Sequence, residues 1–444
     1  MRFRQPEERE ERMIDMTGPL TINATKDGFV RDGAPFFYFA DTVWSVFTNT
    51  PPHEWEEYLR YRAQQGFNVL QISVLPLLHD TSDTFTGLLP FAVDENGRWD
   101  FDRIDEAYFD RAEAMVRAAK AHGFTCALVL LWSNFVPDTT FSKGNLERLL
   151  PFEAVAPYTE YVAKRFAPYE PMYYVSGDTD FGSERTIDYY MTCLRTLKRV
   201  APEALASMHL NGEETLSPER IANAPELDFY AYQSCHFEER QYQCWTFAGA
   251  FLAKPIKRPI VNSEPLYEGH GHGNKYGRFH AFDVRKAFWW SVLSGAKAGF
   301  AYGAHGLFSW HRSGAAFTSE SWSKIPFDWR TALRMDGAWD AGFCKWLFER
   351  YELHTLEPAQ RLQATPYEQI RTAATPSLDK IVVYTPYSND VTLTADLSGY
   401  RTEMIDLAAK RAVRPSLAAS PDRRATTVRM YEGNADVVFI ATRA

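Results

Sequence analysis

The sequence is poor in cysteine and has no long apolar run. Its five cysteines are odd in number, scattered along the chain and without a CxxC pair, so we expect no disulfide framework and a reducing compartment. No apolar stretch is long enough to cross a bilayer. The N-terminal stretch MRFRQPEEREERMIDM is charged throughout and lacks the apolar segment of a secretory signal. These absences predict a cytoplasmic protein without a membrane span.

Basic residues are fewer than acidic residues in this sequence. The chain has 48 Lys and Arg against 57 Asp and Glu, a net charge of -9, and it has no basic run and no phosphate-binding glycine–lysine loop. This balance argues against nucleic acid or an anionic membrane surface as a partner. We also expect no cofactor.

Apolar and aromatic residues are plentiful instead. Of 444 residues, 45% are hydrophobic and 15% aromatic, which is enough for two domains or for one large barrel with an appendage. Aromatic rings stack on sugars in carbohydrate sites, but they also fill large cores. Composition alone favours the core.

Short apolar runs alternate with helical patterns up to about residue 350. The runs lack a clean alternation of polar and apolar residues, as in strands covered on both faces. They are FFYFA (36–40), VLQISVL (69–75), TCALVLLW (125–132), MYYVSG (172–177), ASMHL (206–210), LDFYAYQ (227–233), PIVNS (259–263) and AGFAYG (298–303). Helical segments such as PHEWEEYLRYRAQQG and DEAYFDRAEAMVRAAKAHG end at glycine. Eight such units predict a (β/α)8 TIM barrel over residues 1–352, ahead of a doubly wound open sheet.

The pattern changes after residue 352. Short alternating segments such as IVVYTP, DVTLTADL and ADVVFIAT are separated by Gly, Asn, Ser and Pro. They predict a small all-β sandwich over residues 353–444, with Pro358 and Pro366 in a linker zone.

In such barrels the active site lies at the carboxyl ends of the strands. This rule selects the polar and aromatic residues that follow each predicted strand. Beside two carboxylates, the candidates for substrate binding are Asp41, Trp44, Gln71, His79, Trp132, His209, Asn211, Tyr232, Gln233, His236, Tyr267, His305 and Trp310.

The two carboxylates are Asp178 after the fourth strand and Glu264 after the seventh, strands that lie roughly across the barrel mouth from each other. Glycoside hydrolysis needs such a pair, one to protonate the leaving oxygen and one to attack the anomeric carbon or activate water. Other readings stay open at neighbouring positions. Asp180 fits a helix cap, Glu213 fits a solvated loop, and a lone His209 or His236 fits a core histidine as well as a ligand.

The stretch PIVNSEPLYEGHGHG (259–273) carries a HxH pair in a glycine-rich loop. A metal would need further ligands fixed on rigid elements, and the first strand carries Asp41 rather than histidine. We therefore expect a loop on the substrate side and no metal.

Several stretches resemble the apiosidase-like glycoside hydrolases, barrels usually followed by a small β-sandwich labelled collagen-binding. They are DGAPFFYFADTVW, YLRYRAQQGFNVLQISVL, YYVSGDTD, YQSCH, VNSEPLYEGH, DVRKAFWWSVLSGAKAGFAYGAHGLFSW and LEPAQ, in the same order over nearly the whole chain. The resemblance implies a (β/α)8 barrel and retaining hydrolysis. It implies an acid/base at Asp178, in SGD where relatives have Gly-Gly-Asp, and a nucleophile at Glu264, in NSEP where relatives have Asp-Gly-Glu-Pro.

The expected substrate is an oligosaccharide or glycoside of plant or bacterial origin. The resemblance supports glycoside hydrolysis better than it supports apiose as the sugar. A non-catalytic carbohydrate-binding barrel and a metal-dependent barrel hydrolase are the alternatives, and self-association stays open. The label collagen-binding is not taken as a ligand, and we expect a structural role for the C-terminal domain.

Overall fold

Eight parallel strands form the central sheet of this computed structural model, which describes residues 18–444 except 96–97, 235, 366, 431–432 and 434–435. The charged N-terminal stretch, Cys235 and Pro366 lie outside these described residues. The strands are Tyr38–Thr42 (β1), Val69–Ser73 (β2), Thr125–Trp132 (β3), Met172–Gly177 (β4), Ala206–Ser207 (β5), Tyr230–Gln233 (β6), Ile260–Glu264 (β7) and Gly299–Tyr302 (β8). Their hydrogen-bonded order is β5-β4-β3-β2-β1-β8-β7-β6. The chain therefore forms the predicted (β/α)8 barrel.

The barrel closes between β5 and β6 without a regular ladder. The backbone N–H of Asp228 donates to the carbonyl of Ala206 at 2.9 Å and holds the two edges together. The β5 strand is shorter than the predicted 206–210, because the side chain of Ser176 replaces backbone hydrogen bonds between β4 and the residues after β5. The Ser176 hydroxyl donates to the carbonyl of His209 at 2.9 Å and accepts from its N–H at 3.1 Å.

Helices cover the outside of the barrel. The longer ones are Pro52–Gln64 (α1), Glu106–Ala121 (α2), Phe152–Phe166 (α3), Glu184–Val200 (α4), Gln243–Leu252 (α5), Ala281–Val292 (α6) and Asp336–Arg350 (α7). Short helices span Val46–Asn49, Glu219–Ala222, Glu320–Ser323 and Trp329–Leu333, and 3-10 turns span Ser133–Phe135, Thr140–Ser142, Leu146–Arg148, Ala167–Tyr169, Glu238–Arg240, Leu353–Thr355 and Gln360–Leu362. The glycines that end α1 and α2, Gly66 and Gly123, have φ of 82° and 85°, a conformation that glycine adopts without steric cost.

Small antiparallel pieces precede and interrupt the barrel. Thr21–Ile22, Phe29–Arg31 and Ala34–Phe36 form a three-stranded sheet, and Phe91–Val93 pairs with Trp99–Ile104.

Two antiparallel sheets follow the barrel. One has six strands, in the order Glu357–Pro358, Arg371–Ala374, Lys380–Thr385, Val437–Arg443, Tyr400–Asp406 and Arg411–Val413, and the other has three, in the order Val391–Leu393, Thr426–Arg429 and Ser416–Ala419. Val383 and Phe439 from the larger sheet pack with Leu393 and Val428 from the smaller in one apolar cluster. This is the face-to-face packing of a β-sandwich.

Buried polar contacts join the sandwich to the barrel. Arg285 on α6 binds Asp436 through two hydrogen bonds of 2.8 and 2.7 Å, and it also binds Asp340 on α7. The indole N–H of Trp290 donates to the carbonyl of Gln369 at 2.7 Å. Within the described residues, no helix has the length and apolar character needed to cross a membrane.

Candidate active site

Asp178 and Glu264 lie where the rule of strand ends places them. Glu264 is the last residue of β7, and Asp178 follows directly after β4 with φ of 51°. A left-handed aspartate at a strand end is uncommon and marks a site where surrounding contacts hold the backbone. The side chains of Asp178 and Glu264 are 12% and 7% exposed. Both carboxylates are therefore nearly enclosed, with a small accessible part left for a ligand.

A bulge directs Glu264 into the barrel mouth. On β7, Asn262 faces the helices, where its amide donates to Ser234 and Ser291 at 2.9 Å each. Side chains alternate along a strand, so Glu264 would face the same way as Asn262. The register with β6 shifts between Tyr232 and Gln233, so that Gln233 lies opposite Glu264. This irregularity turns the carboxylate toward the mouth, a common use of bulges beside active sites.

One carboxylate oxygen of Glu264 is hydrogen-bonded, and the other has no aligned donor. Oε1 accepts from Gln233 Nε2 at 2.6 Å and lies 3.0 Å from His236 Nε2. Oε2 is buried and has no hydrogen-bond partner among the described residues. The carboxylate is thus fixed by Oε1, and Oε2 is the oxygen available to react.

His209 connects the two carboxylates. The backbone N–H of Asp178 donates to His209 Nδ1 at 3.1 Å, so that nitrogen is an acceptor and the ring proton is on Nε2 in the neutral form. His209 Nε2 lies 3.1 Å from Glu264 Oε2, although the two atoms are not aligned for a hydrogen bond. A proton on this side of the ring favours the ionised form of Glu264.

The pKa values of the two carboxyl groups shift in opposite directions. Burial raises the pKa of Asp178, and the nearby charge of Glu264 adds to the rise, against the opposing effect of His79. Burial would also raise the pKa of Glu264, but the close contacts with the imidazoles of His209 and His236 outweigh burial and hold that pKa well below its ordinary value. One group is therefore suited to carry a proton and the other to stay ionised, as two-carboxylate chemistry requires.

An aromatic wall lies beside the carboxylates. The indole N–H of Trp44 donates to the hydroxyl of Tyr267 at 2.9 Å. Trp132 packs edge-on to Trp44 with ring centroids 5.1 Å apart, and its own buried N–H has no partner among the described residues. The hydroxyl of Tyr267 stays protonated, because burial and the Glu264 charge raise its pKa. These groups combine flat apolar faces with polar donors, as sugar-binding sites do.

The glycine-rich loop covers the β6 and β7 side of the mouth. His270 stacks on His236 with centroids 4.7 Å apart and meets the ring of Trp322 at 4.8 Å. Burial and the neighbouring histidines lower the pKa of His270 well below its ordinary value, so its ring is neutral. His272 packs on Phe279 at 4.6 Å, away from this stack. The two histidines of the HxH pair therefore have different surroundings. Among the described residues, no group of three or more His, Cys, Asp and Glu side chains has the arrangement of a metal site.

Asp41 and Trp310 do not reach the mouth, and their predicted sugar contacts are corrected here. Asp41 Oδ2 accepts from Arg62 Nε at 2.6 Å and from the Tyr58 hydroxyl at 2.7 Å, in a fully buried pair with α1. Trp310 donates to Glu54 Oε2 at 2.8 Å and stacks on Trp329. Both side chains face the helix layer rather than the barrel axis.

Three more candidates make hydrogen bonds to protein groups rather than standing free at the mouth. The hydroxyl of Tyr232 donates to the carbonyl of Cys244 on α5 at 2.8 Å, so it faces the helix layer and not the predicted sugar. The Gln71 amide joins Tyr38, Thr42 and Ser263 inside the barrel. Asn211 Oδ1 accepts from the Glu213 N–H at 2.9 Å and stabilises a turn.

His305 and Asp180 have supporting positions. His305 Nε2 lies 2.8 Å from the carbonyl of Lys324, and its ring contacts His270 at 5.0 Å. Asp180 accepts from the N–H and hydroxyl of Thr140 at 3.0 and 2.5 Å, so it fixes a loop. The structure thus brings together Asp178, Glu264, His79, His209, Gln233, His236, Trp44, Trp132 and Tyr267.

Sequence reasoning missed Trp322 and Phe141, which contact His270 and His79. Trp322 lies in the polar stretch SESWSK. A tryptophan within such a polar stretch, after the last strand of the barrel, is the signal that would have indicated Trp322.

A (β/α)8 barrel with two enclosed carboxylates after β4 and β7 and an aromatic wall is an arrangement that suits glycoside hydrolysis. The family model for the apiosidase-like catalytic domain matches residues 26–355. The chain belongs to this family.

Solved structures share the whole fold at low sequence identity. One described as a glycoside hydrolase has a TM-score of 0.79 at 18% identity, covering 96% of this chain and 97% of that one. A glycoside hydrolase family 5 protein from Bacteroides vulgatus has a TM-score of 0.78 at 19% identity, covering 96% and 94%. No curated protein matches this chain in sequence.

Proposed function

We propose that the protein is a retaining glycosidase in which Glu264 is the nucleophile and Asp178 the acid/base. The substrate is an oligosaccharide or glycoside, and it is held by Trp44, Trp132 and Tyr267 beside the carboxylates. The observation that carries this proposal is the pair of enclosed carboxyl groups at the ends of β4 and β7, both in contact with His209. The opposite directions of their pKa shifts support it.

The reaction has two steps. In the first, Glu264 Oε2 forms a bond to the anomeric carbon while the bond to the leaving oxygen breaks and that oxygen takes the proton of Asp178. In the second, Asp178 accepts a proton from water, the water oxygen bonds to the anomeric carbon, and Glu264 is released. Retention requires a carboxyl separation of about 5–5.5 Å. Oε2 suits attack because it is the unpartnered oxygen of a carboxylate fixed through Oε1.

Replacement of the nucleophile tests this proposal. Glu264→Gln keeps the shape of the side chain but removes its charge, so we expect the rate of aryl glycoside hydrolysis to fall by about a thousandfold or more. The measurement is phenol release from a panel of nitrophenyl pentosides, including apiosides, arabinosides and xylosides. Circular dichroism and melting temperature verify that the variant folds.

Glu213→Gln is the matched control. Glu213 lies in the loop after β5 with its side chain 73% exposed and paired with Arg240, so this variant keeps the wild-type rate. A Glu264→Gln variant within tenfold of the wild-type rate would contradict the assignment.

A further inference from the structure

His79, in the loop after β2, is held on three sides against Asp178. Its Nε2 lies 3.0 Å from Asp178 Oδ2, and its Nδ1 lies 2.9 Å from Asn134 Oδ1. Its ring stacks on Phe141 with centroids 3.9 Å apart and planes within 3°. The ring therefore has one position and one orientation relative to the carboxyl group.

The amide of Asn134 fixes where the ring protons are. Asn134 Nδ2 donates to the carbonyl of Phe141 at 3.0 Å, so its Oδ1 is the atom that faces His79. An amide oxygen only accepts, and His79 Nδ1 must carry a proton to donate to it. The remaining contact, between His79 Nε2 and Asp178 Oδ2, is a hydrogen bond only if one proton lies between these two atoms.

We propose that His79 and Asp178 share this proton and act as one unit. His79 is then the positioning residue that keeps a proton available on Asp178. This inference rests on the proposed role of Asp178 as the acid/base. It adds a second group to the acid and assigns His79 a part in proton transfer rather than in sugar binding.

The shared proton accounts for both halves of the reaction. When the glycosidic oxygen takes the proton from Asp178, a carboxylate is left facing the lone pair of His79 Nε2. Two acceptors in contact repel each other, and this raises the affinity of the pair for a proton. Water that attacks the anomeric carbon returns one proton to the pair, which then has its original charge.

The charges around the pair support its holding of one proton. Burial would lower the pKa of His79, but the hydrogen bond to Asp178 and the charges of Asp80 and Asp178 raise it above its ordinary value. From the other side, Glu264 and His209 face Asp178 with opposite effects on its pKa. The pair therefore loses its proton at a higher pH than a lone carboxyl group.

A titration without substrate tests the shared proton. The imidazole signals of the full chain are followed by NMR against pH, and His79 is assigned by the loss of its signal in His79→Gln. We expect His79 in the wild type to titrate above the usual histidine range, and its pKa to fall by about one unit or more in Asp178→Asn. A His79 pKa that is unchanged by Asp178→Asn would overturn the inference.

The pH dependence of turnover tests the consequence. In His79→Gln the proton is held by Asp178 alone, so the alkaline limb of kcat/KM shifts to lower pH by about one unit or more. The loss of rate is larger for aryl glycosides with poor leaving groups, because good leaving groups depart without a proton. His122→Gln is the control, since His122, directly after α2, pairs with Glu56 on α1 at 2.9 Å, away from the mouth.

The outcomes separate this inference from the proposed function. If His79→Gln leaves the alkaline limb of kcat/KM unchanged and lowers the rate equally for all leaving groups, His79 has only a structural role and the inference is wrong. In that case an inactive Glu264→Gln variant would still support Glu264 as the nucleophile. Near-normal turnover by Asp178→Asn would refute both.

Discussion

At the scale of single residues, Asp178 and Glu264 show how surroundings shift the pKa of one functional group in two directions. Both are enclosed, and burial alone would raise the pKa of each. The difference comes from the partners: the imidazoles of His209 and His236 lie against the Glu264 carboxylate and lower its pKa, whereas the Glu264 charge adds to the effect of burial on Asp178. The residue types and strand ends were predictable from the sequence. The partners were not, since they come from three other strands, β2, β5 and β6, or the loops after them.

Asp41 is the opposite case, a carboxylate at a strand end that serves stability. Sequence position placed it at the mouth, but it alternates with Thr42, and only Thr42 contacts Gln71 in the interior. Side chains alternate between the two faces of a strand, and when both faces are buried the sequence does not show which residues face the barrel interior.

Removal of Asp41 leaves the Arg62 charge buried without its partner. Breaking a buried pair in this way costs about 3–5 kcal/mol, so Asp41→Ala lowers the free energy of unfolding by about that amount while the folded enzyme keeps its rate. Urea denaturation and the rate per folded molecule measure this. A loss of activity without a loss of stability would return Asp41 to the substrate site.

At the scale of elements, strand ends and a bulge build the site. The β3 and β4 strands were predicted to the residue, because their apolar runs are bounded by polar loops. The shift between β6 and β7 was not predictable, since it comes from pairing between strands rather than from the sequence of either. That shift places Glu264 opposite Gln233, which donates to its carboxylate at the mouth.

Gly303, directly after β8, leaves space for the ring of Tyr267 in the aromatic wall. A Cβ added at Gly303 would lie 2.0 Å from the Tyr267 ring. We expect Gly303→Ala to displace Tyr267, break its bond to Trp44 and lower kcat/KM by about 10- to 100-fold. Steady-state kinetics on the aryl glycosides measure it.

Gly249→Ala is the matched control for that change. Gly249 lies in α5 with open space where a Cβ would be, so the variant keeps its activity and gains about 0.5–1 kcal/mol of stability. Equal activity in both variants would show that the position of Tyr267 does not matter.

At the scale of the whole molecule, the sandwich and the barrel share buried ionic contacts through Arg285 and Asp436. We propose that the chain divides near residue 352 and that the C-terminal domain has a structural role. Two solved structures cover 96% of the chain, sandwich included, so the pairing of the two parts belongs to the shared fold. The change in hydrophobic pattern made this part predictable, but not its contacts with α6 and α7.

The proposed mechanism requires that Glu264 form a covalent bond to the sugar. A 2-fluoro aryl glycoside of the sugar that the enzyme accepts slows both steps but keeps the activated leaving group, so the glycosyl-enzyme accumulates. Mass spectrometry of the intact protein and its peptides then locates the label. We predict one sugar per chain, attached to Glu264 within the segment NSEP, and no label in Glu264→Gln. A label on another carboxylate, or an unlabelled enzyme that releases product of inverted configuration, would contradict the account.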